Sequence, residues 1–288
     1  MRNRIGALIL GLLALGLPLA ARPRKSAPPR PKAKVAKASR PAASPALKSA
    51  SALVMDQRTG EVLVAKDAEA VVPIASLTKL MTAMVVLDAH LDLEEEIRIE
   101  KADEDTLRHS RSRLPVGTRL TRGDALLMAL VASENRAAHA LGRTYPGGLE
   151  ACLEAMNTKA RALGLQRTRF ADPTGLDGRN VATARELAVL ADAASRYPTI
   201  HDYSTRGEGE IRAGRRRIAF LNTNGLTRNP RWTIGLSKTG YIEEAGKCLV
   251  MQTSLAGRAL VIVLLDSWGR YTRLGDAARI KTWLEGRG

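Results

Sequence analysis

The stretch TIGLSKTGYIEEAGKCLVMQTSLAGRALVIVLL, residues 233–265, decides the fold. It contains three apolar runs, Thr233–Thr239, Lys247–Thr253 and Ala259–Leu265, and Gly257-Arg258 forms a tight turn between the last two. Short apolar runs that are bounded by turn residues indicate strands. Because strands joined by short connections pair in antiparallel fashion, the stretch predicts an antiparallel sheet.

Towards the N-terminus, Ser51–Asp56 and Glu61–Ala65 are further apolar runs, and the turn residues between them predict a β-hairpin. Denser apolar segments between this hairpin and residue 233, and one after the last strand, favour helices. The predicted helices are Leu77–Ala89, 124–142, 148–163, 183–195 and Arg273–Leu284. This order predicts an α/β (α+β) fold, in which helices flank an antiparallel sheet and a helical cluster is inserted between its strands.

Residues 1–21 have the organisation of an export signal. Arg2 and Arg4 precede an uncharged apolar run, which ends on the small residues Ala20-Ala21. A retained membrane anchor is the alternative, although an apolar run this short, with Pro18 near its end, is marginal for spanning a bilayer. We expect a cleaved signal peptide.

Positive charge is concentrated ahead of the predicted folded body. The 288-residue chain has a formal net charge of +16, and residues 1–50 hold 11 of its 45 Lys and Arg and no acidic residue. Residues 22–50 are mainly Pro, Ala, Lys, Arg and Ser, which predicts a disordered basic linker. This linker is either a solvated tether or a means of loose association with an anionic envelope surface. The body, 51–288, carries only about +5 and does not call for a nucleic-acid partner.

Ser76 and Lys79 are the first candidate catalytic pair. They are three residues apart at the start of a predicted helix, so their side chains share one face. A serine hydroxyl needs an adjacent base to be a good nucleophile. A lysine can be that base when burial or a second cation lowers its pKa. Taken alone the spacing is a weak signal, because a chain of this length contains it by chance.

Two further motifs, Ser133-Glu134-Asn135 and Lys238-Thr239-Gly240, follow in order. Ser-x-x-Lys, Ser-x-Asn and Lys-Thr-Gly together are typical of β-lactamases and penicillin-binding proteins. In such a site Ser133 would relay a proton between the amine of Lys79 and the leaving amine. Asn135 would hold the substrate amide.

The third motif provides the predicted binding groups. Lys238 would stay charged, attract a substrate carboxylate and depress the pKa of Lys79, and Thr239 would donate a hydrogen bond to the same carboxylate. Gly240 would let a substrate backbone lie against the strand edge. The backbone N–H groups of Ser76 and Tyr241 would form an oxyanion hole.

On these motifs the chain resembles the low-molecular-mass penicillin-binding proteins of the D-alanyl-D-alanine carboxypeptidase family, most of all their periplasmic D-alanyl-D-alanine endopeptidase subgroup. The likeness covers about residues 51–286 and includes 132–138, Asp172–Leu176, Asn222–Asn224 and 246–250. It implies a β-lactamase/transpeptidase-like fold in a single catalytic domain, 51–288, and a periplasmic location.

The resemblance also implies a reaction. Ser76 would attack the carbonyl of a D-Ala-D-amino-acid bond in peptidoglycan stem peptides, and water would release the acyl-enzyme. β-Lactams would be covalent inhibitors. The alternatives are a non-catalytic peptidoglycan-binding or β-lactam-sensing module with the same fold, and a binder of anionic polymers that acts through the basic linker.

The chain departs from the family pattern at Glu134, where Asp or Gly is usual, and we expect this side chain to be structural. A β-lactamase is disfavoured, because 165–180 offers Asp172 and Asp177 but no Glu to activate a deacylating water. Turn formation is the expected task of both aspartates. We also expect a soluble or tail-tethered enzyme, since no C-terminal β-domain or amphipathic anchor follows the last predicted helix.

Cys152 and Cys248 could pair in an oxidising compartment. One lies on a predicted helix and the other on a predicted strand, and we predict two buried free thiols. The four histidines show no metal-binding spacing, so neither a metal nor a cofactor is expected.

Overall fold

A five-stranded antiparallel sheet is the centre of the structure, a computed structural model that describes residues 44–213 and 216–286. The predicted signal peptide, 1–21, and most of the predicted linker lie outside the described residues. The strands are β1 (Ser51–Asp56), β2 (Val62–Lys66), β3 (Val72–Pro73), β4 (Glu96–Arg98), β5 (Arg119–Thr121), β6 (Val181–Ala182), β7 (Glu208–Ala213), β8 (Arg216–Leu221), β9 (Thr233–Ile242), β10 (Gly246–Leu255) and β11 (Arg258–Ser267).

Most helices lie between the N-terminal hairpin and β9, as the inserted cluster predicted from the sequence. The helices are α1 (Lys79–Asp88), α2 (Arg122–Val131), α3 (Asn135–Arg143), α4 (Gly148–Ala162), α5 (Ala184–Ser195), α6 (Pro198–Thr205) and α7 (Thr272–Glu285).

The central sheet has the strand order β2-β1-β11-β10-β9, and each neighbouring pair is antiparallel. The predicted hairpin and the three predicted C-terminal strands are therefore confirmed. Alternate residues of β11 enter two different cores: Val261 and Val263 face the helical cluster, whereas Leu260 and Ile262 pack with α7. Both faces of the strand are buried, which explains its unbroken apolar run. Each such side chain contributes roughly 1.5–3 kcal/mol by leaving water.

The single helix predicted over 124–142 is wrong. The chain leaves the helical path between α2 and α3, and Ser133 adopts a left-handed backbone conformation with φ of 59°. Glu134 then caps α3 by accepting a hydrogen bond from the backbone N–H of Arg136. The apolar spacing continues across the break, so periodicity could not reveal it. The break places Ser133 between the two helices.

The folded body begins before the predicted boundary at residue 51. The carboxylate of Asp276 in α7 accepts hydrogen bonds from the backbone N–H groups of Lys48 and Ser49, and Ser49 is fully buried. The last residues of the predicted linker are therefore held against α7. Within the described part of the chain, no helix has both the length and the apolar composition needed to cross a membrane.

Candidate active site

Ser76 and Lys79 meet where a 3-10 turn, Ala75–Thr78, passes into α1. The Lys79 Nζ lies 2.8 Å from the Ser76 Oγ and donates a hydrogen bond to it. The same ammonium donates to the Asn135 Oδ1 at 2.8 Å and to the Thr174 carbonyl oxygen at 2.6 Å. The structure thus joins two of the three predicted motifs at a single nitrogen atom.

Burial changes the protonation behaviour of Lys79. The side chain is only 1% exposed, and loss of solvation lowers its pKa from the ordinary value to about 7. The negative charges of Asp172, Glu134 and Asp105 oppose this effect in that order. The balance leaves an amine that can lose its proton near neutral pH.

The third motif lies beside this pair. The Lys238 Nζ donates to the Ser133 Oγ at 2.9 Å and to the Thr239 carbonyl oxygen at 3.0 Å. Burial lowers the pKa of Lys238 well below its ordinary value, and the positive charge of Lys79 lowers it further. We expected Lys238 to remain charged and to be what lowers the pKa of Lys79. Instead burial is the largest cause at both lysines, and a bound carboxylate would be needed to favour the ammonium form of Lys238.

Gly240 also has a structural reason within the protein itself, beside its predicted role towards the substrate. A Cβ at this position would lie 3.0 Å from the Ala75 Cβ, from the Ile74 carbonyl oxygen and from the Ser76 backbone nitrogen. The missing side chain therefore lets β9 approach the turn that carries Ser76. The neighbouring Tyr241 is 61% exposed at the mouth of the site.

A cleft of about 480 Å³ opens over the predicted nucleophile. Its lining residues are Ser76, Leu107, Arg108, Ser110, Asn135, Leu176, Tyr241, Ile242 and Glu243. The cleft therefore joins the first two motifs to the residues that follow the third.

The sequence assigned no role to three residues around the site, although one of them, Thr223, falls within the stretch Asn222–Asn224 that carries the resemblance. Ser110 accepts a hydrogen bond from the Asn135 Nδ2 at 2.9 Å, and Thr223 lies 2.7 Å from the Thr239 hydroxyl, oxygen to oxygen. Arg108 donates through its Nε to the Leu176 carbonyl oxygen at 2.6 Å. Ser110 and Arg108 belong to a loop without apolar periodicity, so no sequence signal pointed to them.

Glu134 has the structural contacts that we expected. Its carboxylate accepts hydrogen bonds from the Ser112 hydroxyl at 2.5 Å and from the backbone N–H of Arg113 at 3.4 Å, and it caps α3. It also raises the pKa of Lys79. This residue therefore shapes the loop over the site and contributes to its electrostatics.

The two cysteines are free and buried, as predicted. Burial raises the pKa of Cys152 to about 12 and that of Cys248 to about 11. Neither is a thiolate nucleophile near neutral pH. Among residues 44–213 and 216–286, no three His, Cys, Asp or Glu side chains are grouped so that they could hold a metal ion.

The fold and the motif geometry define a serine peptidase of the acyl-transfer type. The chain matches the family described as D-alanyl-D-alanine carboxypeptidase over residues 36–268, and it belongs to that family. It is 46% identical over 287 residues to a D-alanyl-D-alanine endopeptidase of Pseudomonas aeruginosa, across 99% of this chain and 89% of the relative. A D-alanyl-D-alanine endopeptidase of Escherichia coli is 42% identical over 246 residues, across 85% of this chain and 79% of the relative.

Solved structures agree with this membership. The DD-transpeptidase of Streptomyces K15 superposes with a TM-score of 0.77 at 28% identity and covers 85% of this chain and 99% of its own. A penicillin-binding protein homolog from Mycobacterium tuberculosis superposes with a TM-score of 0.76 at 27% identity, over 85% of this chain and 94% of its own. The predicted family, fold class and assignment to the serine peptidases are confirmed.

Proposed function

We propose that Ser76 is the nucleophile and Lys79 its general base in the hydrolysis of D-Ala-D-amino-acid bonds of peptidoglycan stem peptides. One observation carries this proposal, namely the set of partners around the Lys79 amine. Once neutral, the amine has two N–H bonds and a lone pair. Asn135 Oδ1 and the Thr174 carbonyl can only accept hydrogen bonds, so they take both N–H bonds. The lone pair is left to face the hydroxyl of Ser76 at 2.8 Å.

Acylation follows from this arrangement. The Ser76 oxygen bonds to the carbonyl carbon of the substrate while its proton passes to Lys79. Negative charge develops on the carbonyl oxygen and is stabilised by the backbone N–H groups of Ser76 and Tyr241. When the tetrahedral intermediate collapses, the C–N bond breaks and the leaving amine takes a proton. Water then hydrolyses the ester and restores the free Ser76.

Ser133 and Lys238 serve the leaving side of the bond in this proposal. The Ser133 Oγ lies 2.9 Å from the Lys238 Nζ, so the leaving amine can receive its proton through the Ser133 hydroxyl. Lys238 and Thr239 receive the carboxylate of the departing D-amino acid, which favours the ammonium form of Lys238. Asn135 orients the substrate amide while it also holds Lys79.

Substrate preference is tested by incubating the protein with cross-linked muropeptides and with uncross-linked pentapeptides, and by weighing the products. We expect cleavage of the cross-links, since relatives that this chain matches across most of its length are endopeptidases. Ser76→Ala is the control that removes the proposed nucleophile. Release of D-Ala from pentapeptides with all cross-links intact would contradict the endopeptidase preference.

Gly240→Ala is expected to slow acylation by penicillin. The new Cβ would press on Ile74 and Ser76 backbone atoms, which cannot move aside as a flexible side chain can. Contacts at 3.0 Å force these atoms to shift by a few tenths of an ångström, so we expect a smaller loss than the one on the order of 10²-fold that a displacement of about 1 Å causes. The rate of labelling by a fluorescent penicillin measures the effect. Gly178→Ala is the matched control, because a Cβ there meets nothing closer than 4.0 Å, and a wild-type rate for Gly240→Ala would refute the prediction.

We further propose that residues 1–21 direct export to the periplasm and are removed. β-Lactams would reach the protein there as covalent inhibitors, and the basic residues of 22–50 would allow loose association with the envelope. N-terminal sequencing of the protein recovered from the periplasm tests this proposal. An N-terminus at Met1 would contradict cleavage.

A further inference from the structure

The loop from Asp172 to Asp177 contacts both members of the proposed catalytic pair. Its Thr174 carbonyl accepts the hydrogen bond from the Lys79 Nζ at 2.6 Å, and Thr174 is only 3% exposed. One residue earlier, the Pro173 carbonyl accepts a hydrogen bond from the Thr82 hydroxyl at 2.7 Å. Thr82 lies three residues after Lys79 on α1. The loop is therefore bound to the same helix that carries the proposed base.

The next residue of the loop lies against the turn of the nucleophile. Gly175 has φ of 80°, and a Cβ at this position would lie 2.0 Å from the Ala75 carbonyl oxygen and 2.9 Å from the Ser76 backbone nitrogen. Ala75 itself has φ of 47°, a conformation that is strained for a residue with a side chain. The loop thus packs directly on a strained turn, and Thr174 and Gly175 fix Lys79 and Ser76 from adjacent positions.

The carboxylate of Asp172 organises this loop. It accepts hydrogen bonds from the backbone N–H groups of Gly175 and Asp177, each at 2.6 Å, and from the Thr174 hydroxyl at 2.6 Å. It also accepts one from the Thr174 backbone N–H and one from the Asn180 Nδ2 at 2.9 Å. These donors surround both oxygens, so the turn depends on an acceptor that only a carboxylate provides. The predicted turn-forming task of Asp172 is thereby supported. The turn also contacts Lys79 and the backbone of Ser76, so its shape affects both residues.

We propose that the loop 172–177 sets the position of Lys79 relative to Ser76, and that Asp172 is its positioning residue. This inference rests on the proposed function, since it assigns Ser76 and Lys79 as nucleophile and base. Asp172 would act through Thr174 and Gly175 and would not touch the substrate.

The charge of Asp172 gives the proposal a second observable. The charged groups that face Lys79 are Asp172 from the loop, Glu134 before α3, Asp105 from the 101–116 segment and Lys238 from β9. The three carboxylates raise the pKa of Lys79, and Asp172 is the first of them in size. Removing its charge is expected to lower that pKa further. The neutral, active form of Lys79 then persists to lower pH.

Asp172→Asn tests the proposal through the pH dependence of penicillin acylation, measured on the full chain. The amide keeps one acceptor oxygen but turns an N–H₂ group towards its donors, so the loop loosens. We expect the maximal rate to fall on the order of 10²-fold and the acidic limb of the profile to move to lower pH. Asp202→Asn is the matched control, because Asp202 lies on α6 outside the loop, pairs with Arg206 and is not among the charges that shift the pKa of Lys79.

Gly175→Ala separates position from charge. It disturbs the contact with Ala75 but leaves every charge in place, so we expect a lower maximal rate with an unmoved acidic limb. Thermal melting confirms that each variant is folded. A folded Asp172→Asn variant whose acidic limb stays at the wild-type pH would overturn the proposal, as would a wild-type maximal rate in both variants. A wild-type protein that penicillin fails to acylate would instead refute the proposed function.

Discussion

Ser76→Ala is expected to abolish both covalent labelling by penicillin and cleavage of peptidoglycan peptides. The hydroxyl is the proposed atom that bonds to the carbonyl carbon, and no other hydroxyl lies within hydrogen-bond distance of the Lys79 amine in the described residues. Loss of the nucleophile in a serine hydrolase costs about 10⁶-fold in turnover. Release of product from cross-linked muropeptides, followed by mass spectrometry, measures it.

The control for this variant is Ser254→Ala, which removes an exposed hydroxyl from β10 far along the strand from the site. Both variants should melt like the wild type, since Ser76 contributes little packing. Undiminished labelling of Ser76→Ala would mean that a different side chain carries the acyl group.

Lys79→Ala is expected to have the second-largest effect. It removes the proposed general base, a contribution of typically 10²–10⁴-fold. It also leaves the Asn135 Oδ1 and Thr174 carbonyl without the donor that both share in the wild type. We expect acylation by penicillin to fall by at least this factor.

The rate at which penicillin acylates the wild-type protein should rise with pH, because Lys79 must lose its proton to act as the base. Protonated Lys79 cannot accept the serine proton, and burial lowers its pKa to about 7. The acylation rate is therefore expected to rise with pH through about 7 and then level off as the amine becomes neutral.

Lys79→Arg is the matched variant, because arginine keeps the charge but stays protonated at every working pH. We expect it to be as inactive as Lys79→Ala. An active Lys79→Arg variant, or a wild-type rate that does not change across neutral pH, would contradict the assignment of Lys79 as base.

The sequence predicted the motifs of the site better than the contacts that hold them. Ser76, Lys79, Ser133 and Lys238 were recognisable because each lies in a motif with a specific chemical logic, and the structure places them in adjacent hydrogen-bonded pairs. Thr174 binds Lys79 through its backbone carbonyl, which every residue type has, so composition could not single it out.

The sequence also failed to predict the protonation state of Lys238. The cationic state expected for Lys238 rested on its role towards a carboxylate, whereas its pKa depends on how deeply the sheet and helices bury it. The sequence could not predict the helix break at Ser133 either. A left-handed residue between two apolar segments leaves the spacing of their apolar residues unchanged. Both properties arise from tertiary packing, which residue patterns do not report.

The central claim, that Ser76 carries the acyl group, is tested most directly by locating the penicillin adduct. The full-length protein is acylated, digested and mapped by tandem mass spectrometry. The account predicts one penicilloyl group on the peptide that contains Ser76, bound through its side-chain oxygen. An adduct on Ser133 or on any other residue, or an unmodified protein, would contradict it.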